Sequence, residues 1–142
     1  MSYVFDSCSL LNLTRALADR VIDVLKGNIT VSLAYYEIGN ALWKECNLYK
    51  RVSVEEVVKT LRFMYSMLSL MKVIHIEDVN FSINTFFMAN KLNITYYDAA
   101  YLNVAKELDK VLVTDDKRLR EIAEKINVKT LSSKNWIESY AT

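Results

Sequence analysis

The sequence is poor in the residues that build nucleotide-binding loops. It contains no proline and only two glycines, Gly27 and Gly39, among 142 residues. The glycine-rich segments that hold the phosphates of dinucleotides or nucleoside triphosphates need several glycines at fixed spacings. The composition therefore argues against both kinds of nucleotide site, and no flexible linker, internal repeat or low-complexity segment is present.

Histidine and cysteine are also scarce. His75 is the only histidine, so it cannot build a zinc site by itself, and no histidine pair exists for acid–base chemistry. Cys8 and Cys46 are too few for a disulfide framework, and we expect both to be small buried hydrophobic residues. The low cysteine content indicates a reducing compartment, and hence a cytoplasmic protein.

The chain has neither a large net charge nor a long apolar segment. Eighteen basic against 17 acidic residues give a net charge of +1, which provides no overall attraction for a polyanion. Asp6 interrupts the first apolar stretch, so no signal peptide is expected. The longest apolar region, residues 63–76, contains polar residues and is shorter than a membrane-spanning helix requires. We therefore expect one soluble domain, residues 1–142, with no membrane contact.

Short apolar runs alternate with helical patterns along the chain. Strands are predicted at residues 3–5, 29–31, 73–74, 111–113 and 128–131. Helices are predicted from the first strand to about residue 25, and at about 33–48, 53–71, 78–92, 95–108 and 115–126, with Trp136 on a terminal helix. Ser53 and Glu56 have the spacing of a capping box, and Thr114 or Asp115 is expected to cap the helix that follows. Strands separated by helices predict an α/β fold with a central, mostly parallel sheet of four to five strands flanked by helices.

Four acidic residues from distant parts of the chain are expected to meet at one edge of this sheet. Asp6 follows the first strand and Asp116 follows the fourth, whereas Glu37 and Asp98 lie in the first turns of helices. Ligands of parallel sheets bind beyond the carboxyl ends of the strands. Converging carboxylates repel one another, and oxygen ligands without histidine or cysteine suit Mg²⁺ or Mn²⁺. Such an ion activates water and stabilises a phosphoryl transition state.

Each of these acids also has a structural explanation. Asp98 has capping-box spacing from Thr95, Asp115 or Asp116 could cap the following helix, and Glu37 could simply be solvated. Asp6 could act as a cap only if a helix starts directly after the first strand.

The segments around the four acids resemble those of PIN-domain proteins, especially VapC-type toxins. They are FDSCSLLNL around Asp6, YYEIGNALWK around Glu37, YYDAAYLNVAKEL around Asp98 and LVTDDKRL around Asp116, in the family's order from residue 3 to about residue 120. The resemblance implies a PIN-like three-layer fold and metal-dependent cleavage of RNA by a catalytic and metal-binding set of these four acids. It also implies a homodimer and, for a toxin, a cognate antitoxin partner.

Four further residues are predicted to support the acids. Ser7 and Thr114 are suited to hold carboxylates by hydrogen bonds, and Asn40 lies one helical turn after the glutamate. Asp115 occupies a position that varies in the family, so we rank it below its neighbour. Lys44, Lys50, Arg51, Lys117, Arg118 and Arg120 are candidate phosphate contacts, although solvated helix faces explain them nearly as well.

Three other interpretations remain open at this point. The chain could be a stand-alone RNA-processing nuclease, a non-catalytic PIN-like binding module, or a phospho-receiver domain. The last requires paired acids after the first strand, and Asp6 stands alone there. The helix from residue 53 has a wide apolar surface that includes Met64, Met67 and Met71. We expect this surface to pack in the core, and a contact with a partner protein is the alternative explanation.

Overall fold

The computed structural model describes residues 1–141 and shows an α/β fold in that range. The strands are β1 (Val4–Phe5), β2 (Ile29–Val31), β3 (Lys72–Ile74), β4 (Leu112–Val113) and β5 (Thr130–Leu131). The α-helices are α1 (Ser7–Leu17), α2 (Val21–Leu25), α3 (Leu33–Trp43), α4 (Val54–Leu68), α5 (Val79–Leu92), α6 (Tyr96–Leu108), α7 (Lys117–Glu124) and α8 (Ser133–Ala141). A 3₁₀ turn, Ala18–Arg20, precedes α2, and a π-helical turn, Lys44–Leu48, extends α3.

The five strands form one parallel sheet in the order β3-β2-β1-β4-β5. The predicted parallel α/β sheet is confirmed, at the upper end of the expected strand number. Val4 lies opposite Ile29 of β2 on one side and Leu112 of β4 on the other. The strand order reverses at β1, because β2 and β3 are added on one side of β1 and β4 and β5 on the other. The carboxyl ends of β1 and β4 therefore border the crevice in which parallel sheets of this kind bind ligands.

Two apolar clusters cover the faces of the sheet and make the fold three-layered. One packs Phe5 and Val113 against α1, α3 and α4, with the indole of Trp136 from α8. The other packs Val4 and Leu112 against α6 and α7. The central strands β1 and β4 are buried, which explains why their sequences are continuous apolar runs and not alternating ones. None of the helices in residues 1–141 is long and apolar enough to cross a membrane.

Several local predictions are corrected by the structure. The helix expected to reach residue 25 is interrupted, because Ala18 has a φ of 50° and ends α1. Asp116, and neither Thr114 nor Asp115, caps α7. Cys8 is exposed and Cys46 is half-buried, so the expectation of two buried cysteines is wrong.

The methionine-rich side of α4 belongs to the core. Met64 and Met67 are 0% and 1% exposed, and Met71 is also buried against the same cluster. Core packing of these side chains is therefore confirmed, and they are not available to a partner. The capping box of Ser53 and Glu56, which begins this helix, is also present.

Candidate active site

Asp6 lies where β1 ends and α1 begins, and its side chain caps that helix. Its Oδ1 accepts a hydrogen bond from the Ser9 backbone N–H at 2.9 Å. Ser9 Oγ donates to the carbonyls of Asp6 and Val113, both at 2.9 Å, which joins the ends of β1 and β4. The helix does start at once after the strand, so Asp6 has the capping role that its structural explanation required.

The Asp6 carboxyl is 8% exposed and its ionised form is poorly solvated. Burial raises its pKa to about 6, and the negative charge of Asp115 adds to this, although hydrogen bonds from Thr114 and Ser9 oppose it. A carboxylate held in this way gains from a nearby cation, because a positive charge offsets both the lost solvation and the repulsion.

Glu37 is fixed by two hydroxyl groups that donate to the same oxygen. Tyr101 Oη lies 2.7 Å and Ser7 Oγ lies 3.2 Å from Glu37 Oε1. Burial and the charge of Asp98 raise the pKa of Glu37, whereas these two hydrogen bonds lower it. Since both donors use Oε1, Oε2 remains available for a ligand.

Asp98 and Asp116 begin the two helices on the other side of the crevice. Thr95 Oγ1 caps α6 by accepting from the Asp98 backbone N–H at 3.1 Å. Asp116 caps α7 by accepting from the Leu119 backbone N–H at 3.1 Å, and its own N–H donates to Thr114 Oγ1 at 3.2 Å. Burial and the charge of Asp116 raise the pKa of Asp98, while Thr95 and Arg118 lower it.

Electrostatic interactions link three of the acids, Glu37, Asp98 and Asp116, whereas the carboxylate that acts on Asp6 is Asp115. Asp98 interacts with both Glu37 and Asp116, and Asp6 lies across from them at the end of β1. In residues 1–141, however, no three acidic, histidine or cysteine side chains are arranged to hold a metal ion. The donors fit Mg²⁺ or Mn²⁺ in kind, since they are carboxylate oxygens. Completing a ligand shell requires side-chain movement or water ligands.

Asp115 has a different role from its neighbour. It accepts hydrogen bonds from Ser133 N–H, Ser133 Oγ and Asn12 Nδ2, all at 2.7 Å. Burial alone would raise the pKa of Asp115, but these bonds and the charge of Arg120 outweigh it and lower the pKa. Asp115 thus joins α1 and the start of α8 to the loop after β4, and reaches the acids only through its charge on Asp6.

The other predicted supporting residues differ in their contacts. Ser7 touches Glu37, and the fully buried Thr114 touches both Asp6 and the backbone of Asp116. Asn40 is exposed and makes no hydrogen bond to any of the acids within the described residues.

Tyr101 was missed by the sequence reasoning. It is 1% exposed and its hydroxyl makes the shortest contact to Glu37. One signal was available, since Tyr101 follows Asp98 by three positions and so lies on the same side of α6.

Comparison with known proteins places this geometry in context. No family model matches the chain. Two curated proteins of Pyrobaculum aerophilum are similar to it. Exonuclease VapC9 is 31% identical over 119 residues, which cover 84% of each protein. Ribonuclease VapC3 is 30% identical over 104 residues, 73% of this chain and 77% of that protein.

Solved structures share the fold over almost the whole chain. The protein PAE2754 from Pyrobaculum aerophilum is 28% identical with a TM-score of 0.80, covering 99% of this chain and 97% of that one. VapBC-1 from nontypeable Haemophilus influenzae is 15% identical with a TM-score of 0.60, covering 94% and 99%. A toxin–antitoxin complex from Klebsiella pneumoniae is 16% identical with a TM-score of 0.61, covering 84% and 90%.

Proposed function

Since this chain belongs to the VapC family of PIN-domain proteins, we propose that it is a divalent-metal-dependent endoribonuclease and the toxin of a toxin–antitoxin pair. The observation that carries the proposal is the acidic region at the carboxyl ends of β1 and β4. Burial raises the pKa of three of its acids, Asp6, Glu37 and Asp98, and the charge of a neighbouring carboxylate adds to the rise in each. Ionising these buried carboxylates costs free energy, and a bound cation would offset that cost. Such perturbed acids are typical of functional sites, which supports a metal-binding role.

In this proposal the four acids have two different roles. Asp6 and Asp98 bind Mg²⁺ or Mn²⁺ directly, while Glu37 and Asp116 complete the ligand set or orient the attacking water. The ion supplies an activated water and neutralises charge on the phosphoryl group. Tyr101 and Ser7 keep Glu37 Oε1 engaged, so that Oε2 is the oxygen offered to the site.

The products should carry a 5′-phosphate and a 3′-hydroxyl. A 2′,3′-cyclic phosphate requires a base that activates the 2′-hydroxyl and an acid for the leaving group, and metal-free ribonucleases most often supply these with histidines. His75 is the only histidine, and its Nδ1 lies 3.8 Å from Glu77, outside the acidic region. The chain therefore lacks the histidine pair that the cyclic route most often uses.

The antitoxin and the homodimer are part of the same proposal. The fold is shared with toxin–antitoxin structures, and α5 exposes several apolar side chains: Val79, Ile83, Phe86 and Phe87. Exposed apolar surface of this kind supports association with another protein. Light scattering of the purified chain gives its oligomeric state. Co-expression with the product of a short neighbouring reading frame tests for an antitoxin.

The deciding experiment uses a circular RNA and a linear RNA of the same sequence. We expect cleavage of both with Mg²⁺ or Mn²⁺, none in EDTA, and 5′-phosphate ends on the fragments. Cleavage of the linear RNA alone would make the protein an exonuclease, the activity named for one of its relatives. Cleavage undiminished in EDTA, or a 2′,3′-cyclic phosphate, would refute the metal-dependent mechanism. Cleavage without growth arrest on expression would favour the processing enzyme over the toxin.

A further inference from the structure

A cavity of about 370 Å³ opens directly beside two of the four acids. Asp98 and Asp116 lie in its wall, at the first turns of α6 and α7. Its other lining residues are Asn93, Ile94, Thr95, Arg118, Leu119 and Ile122. Two larger cavities, of about 580 and 500 Å³, are lined instead by Met1, Val111 and Lys129 at the amino ends of the strands. A third, of about 380 Å³, lies between Leu17, Val24 and Tyr140, and none of the three is lined by any of the four acids.

Besides the two carboxylates, the lining combines an apolar surface with one cationic group. Leu119 and Ile122 are 2% and 8% exposed and form part of the wall together with Ile94. Arg118 lies at the cavity, where one guanidinium nitrogen, Nη2, donates to the Asn93 carbonyl at 3.2 Å. That contact fixes the position of the guanidinium and leaves its other N–H groups available to a ligand. Its charge also reaches Asp98.

We propose that this cavity binds a single nucleotide of the RNA strand, next to the phosphodiester that the acids cleave. The inference takes its ligand class from the proposed nuclease function. A nucleobase presents apolar faces, which suit the aliphatic wall, and polar edges. The Arg118 guanidinium binds an acceptor on the base edge or the adjoining phosphate. Pockets for small ligands begin at about 300 Å³, so this volume suits one nucleotide and is too small for a base pair with its backbone.

A requirement on the substrate follows from this placement. A base enters the cavity only after it has left its stack, so the nucleotide beside the cleavage site must be unpaired. Sequence-dependent recognition of RNA generally uses such unstacked bases in loops, bulges and single strands. The cavity is therefore the place where a preference for one base at the cleavage site is determined.

Methyl NMR tests this inference without depending on cleavage. The protein with labelled isoleucine methyl groups is titrated in EDTA with each of the four ribonucleoside 5′-monophosphates, and separately with ribose 5-phosphate. We expect the Ile94 and Ile122 signals to shift with at least one nucleotide, while the exposed Ile83 on α5 stays unchanged. Ribose 5-phosphate should bind more weakly, because it lacks the base.

Two matched variants test whether the positive charge of Arg118 contributes to nucleotide binding. Arg118→Gln should weaken nucleotide binding about tenfold, the effect of losing one charge-assisted hydrogen bond. Arg62→Gln removes the same charge from an exposed position on α4 and should leave binding unchanged. Unshifted Ile94 and Ile122 signals, or equal binding of ribose 5-phosphate, would overturn the nucleotide pocket even if RNA cleavage is observed. Shifted signals in a protein that cleaves no RNA would preserve the pocket and refute the nuclease.

Discussion

Replacing Asp6 with asparagine should inactivate the protein and yet stabilise its metal-free form at neutral pH. Asparagine keeps an oxygen that can accept from the Ser9 N–H, so the cap of α1 is retained. It removes a negative charge that is 8% exposed and that repels Asp115. The substitution therefore separates the cost of the charge from the benefit of the cap.

The magnitude follows from the pKa of this carboxyl. Burial, as the largest cause, raises the pKa of Asp6 from 3.8 to about 6. That interval corresponds to about 3 kcal/mol in the free energy of unfolding. Because the folded value is the higher one, the folded protein binds this proton more tightly than the unfolded chain. The stabilising contribution is complete below about pH 3.8 and is lost as the pH rises through about 6.

The wild type should accordingly lose up to about 3 kcal/mol between pH 4 and pH 8 through Asp6, whereas Asp6→Asn should not. At pH 8 the variant should melt about 6–12 °C higher, and near pH 4 the two should converge. Thermal unfolding in EDTA, followed by circular dichroism across this pH range, measures the difference directly.

Asp116→Asn is the matched control for this prediction. Asp116 also caps a helix, α7, but it is exposed to solvent. Its replacement should change the free energy of unfolding by less than about 0.5 kcal/mol at either pH. The reasoning would be refuted if Asp6→Asn were no more stable than wild type at pH 8, or if its advantage were equally large at pH 4.

Three further predictions concern the ion and the groups around it. Mg²⁺ or Mn²⁺ should raise the melting temperature of the wild type, because the ion binds the folded state. The double variant Asp6→Asn, Asp98→Asn should lose that rise. An equal rise in both proteins would contradict a shared metal site. Asp116→Asn should abolish RNA cleavage, whereas Asp115→Asn should keep most of it. Asp115→Asn should also lose about 1 kcal/mol of stability, because its hydrogen bonds weaken. Exchanged phenotypes would mean that the two residues have the opposite roles. Tyr101→Phe should remain folded but need a higher Mg²⁺ concentration for half-maximal thermal stabilisation, and it should cleave RNA about tenfold more slowly. Unchanged behaviour in both assays would show that the hydrogen bond to Glu37 has no role in the site.

The strands, and the acids that follow β1 and β4, were predictable because both are encoded in short stretches of sequence. Buried strands of a parallel sheet are short apolar runs, and Val4-Phe5 and Leu112-Val113 are each followed closely by an acid. Parallel order then brings those strand ends to one edge. Local polar spacing also identified Ser53 as a helix cap.

The features that the sequence did not reveal depend on long-range packing. The bond from Tyr101 to Glu37 joins residues 64 positions apart and exists only because α6 and α3 meet over the end of the sheet. Asp115 and Asp116 are equivalent in local pattern. The choice of cap is made by Ser133, whose N–H and hydroxyl bind the first of the two acids and leave the second to begin α7. The exposure of Cys8 likewise depends on how α1 is rotated against the sheet.

The double use of Asp6 and Asp116 as helix caps has a consequence for how activity is lost over generations. Each side chain gives one oxygen to a helix amide, and in the proposed function the same carboxylate also serves the metal site. Exchanging a carboxylate for its amide alters that site while the helix start stays intact. Under the proposed function, a single codon change would therefore convert an active copy into an inactive copy that still folds. Selection on stability would not remove such copies, and they would compete with active ones for the partners of the proposed toxin.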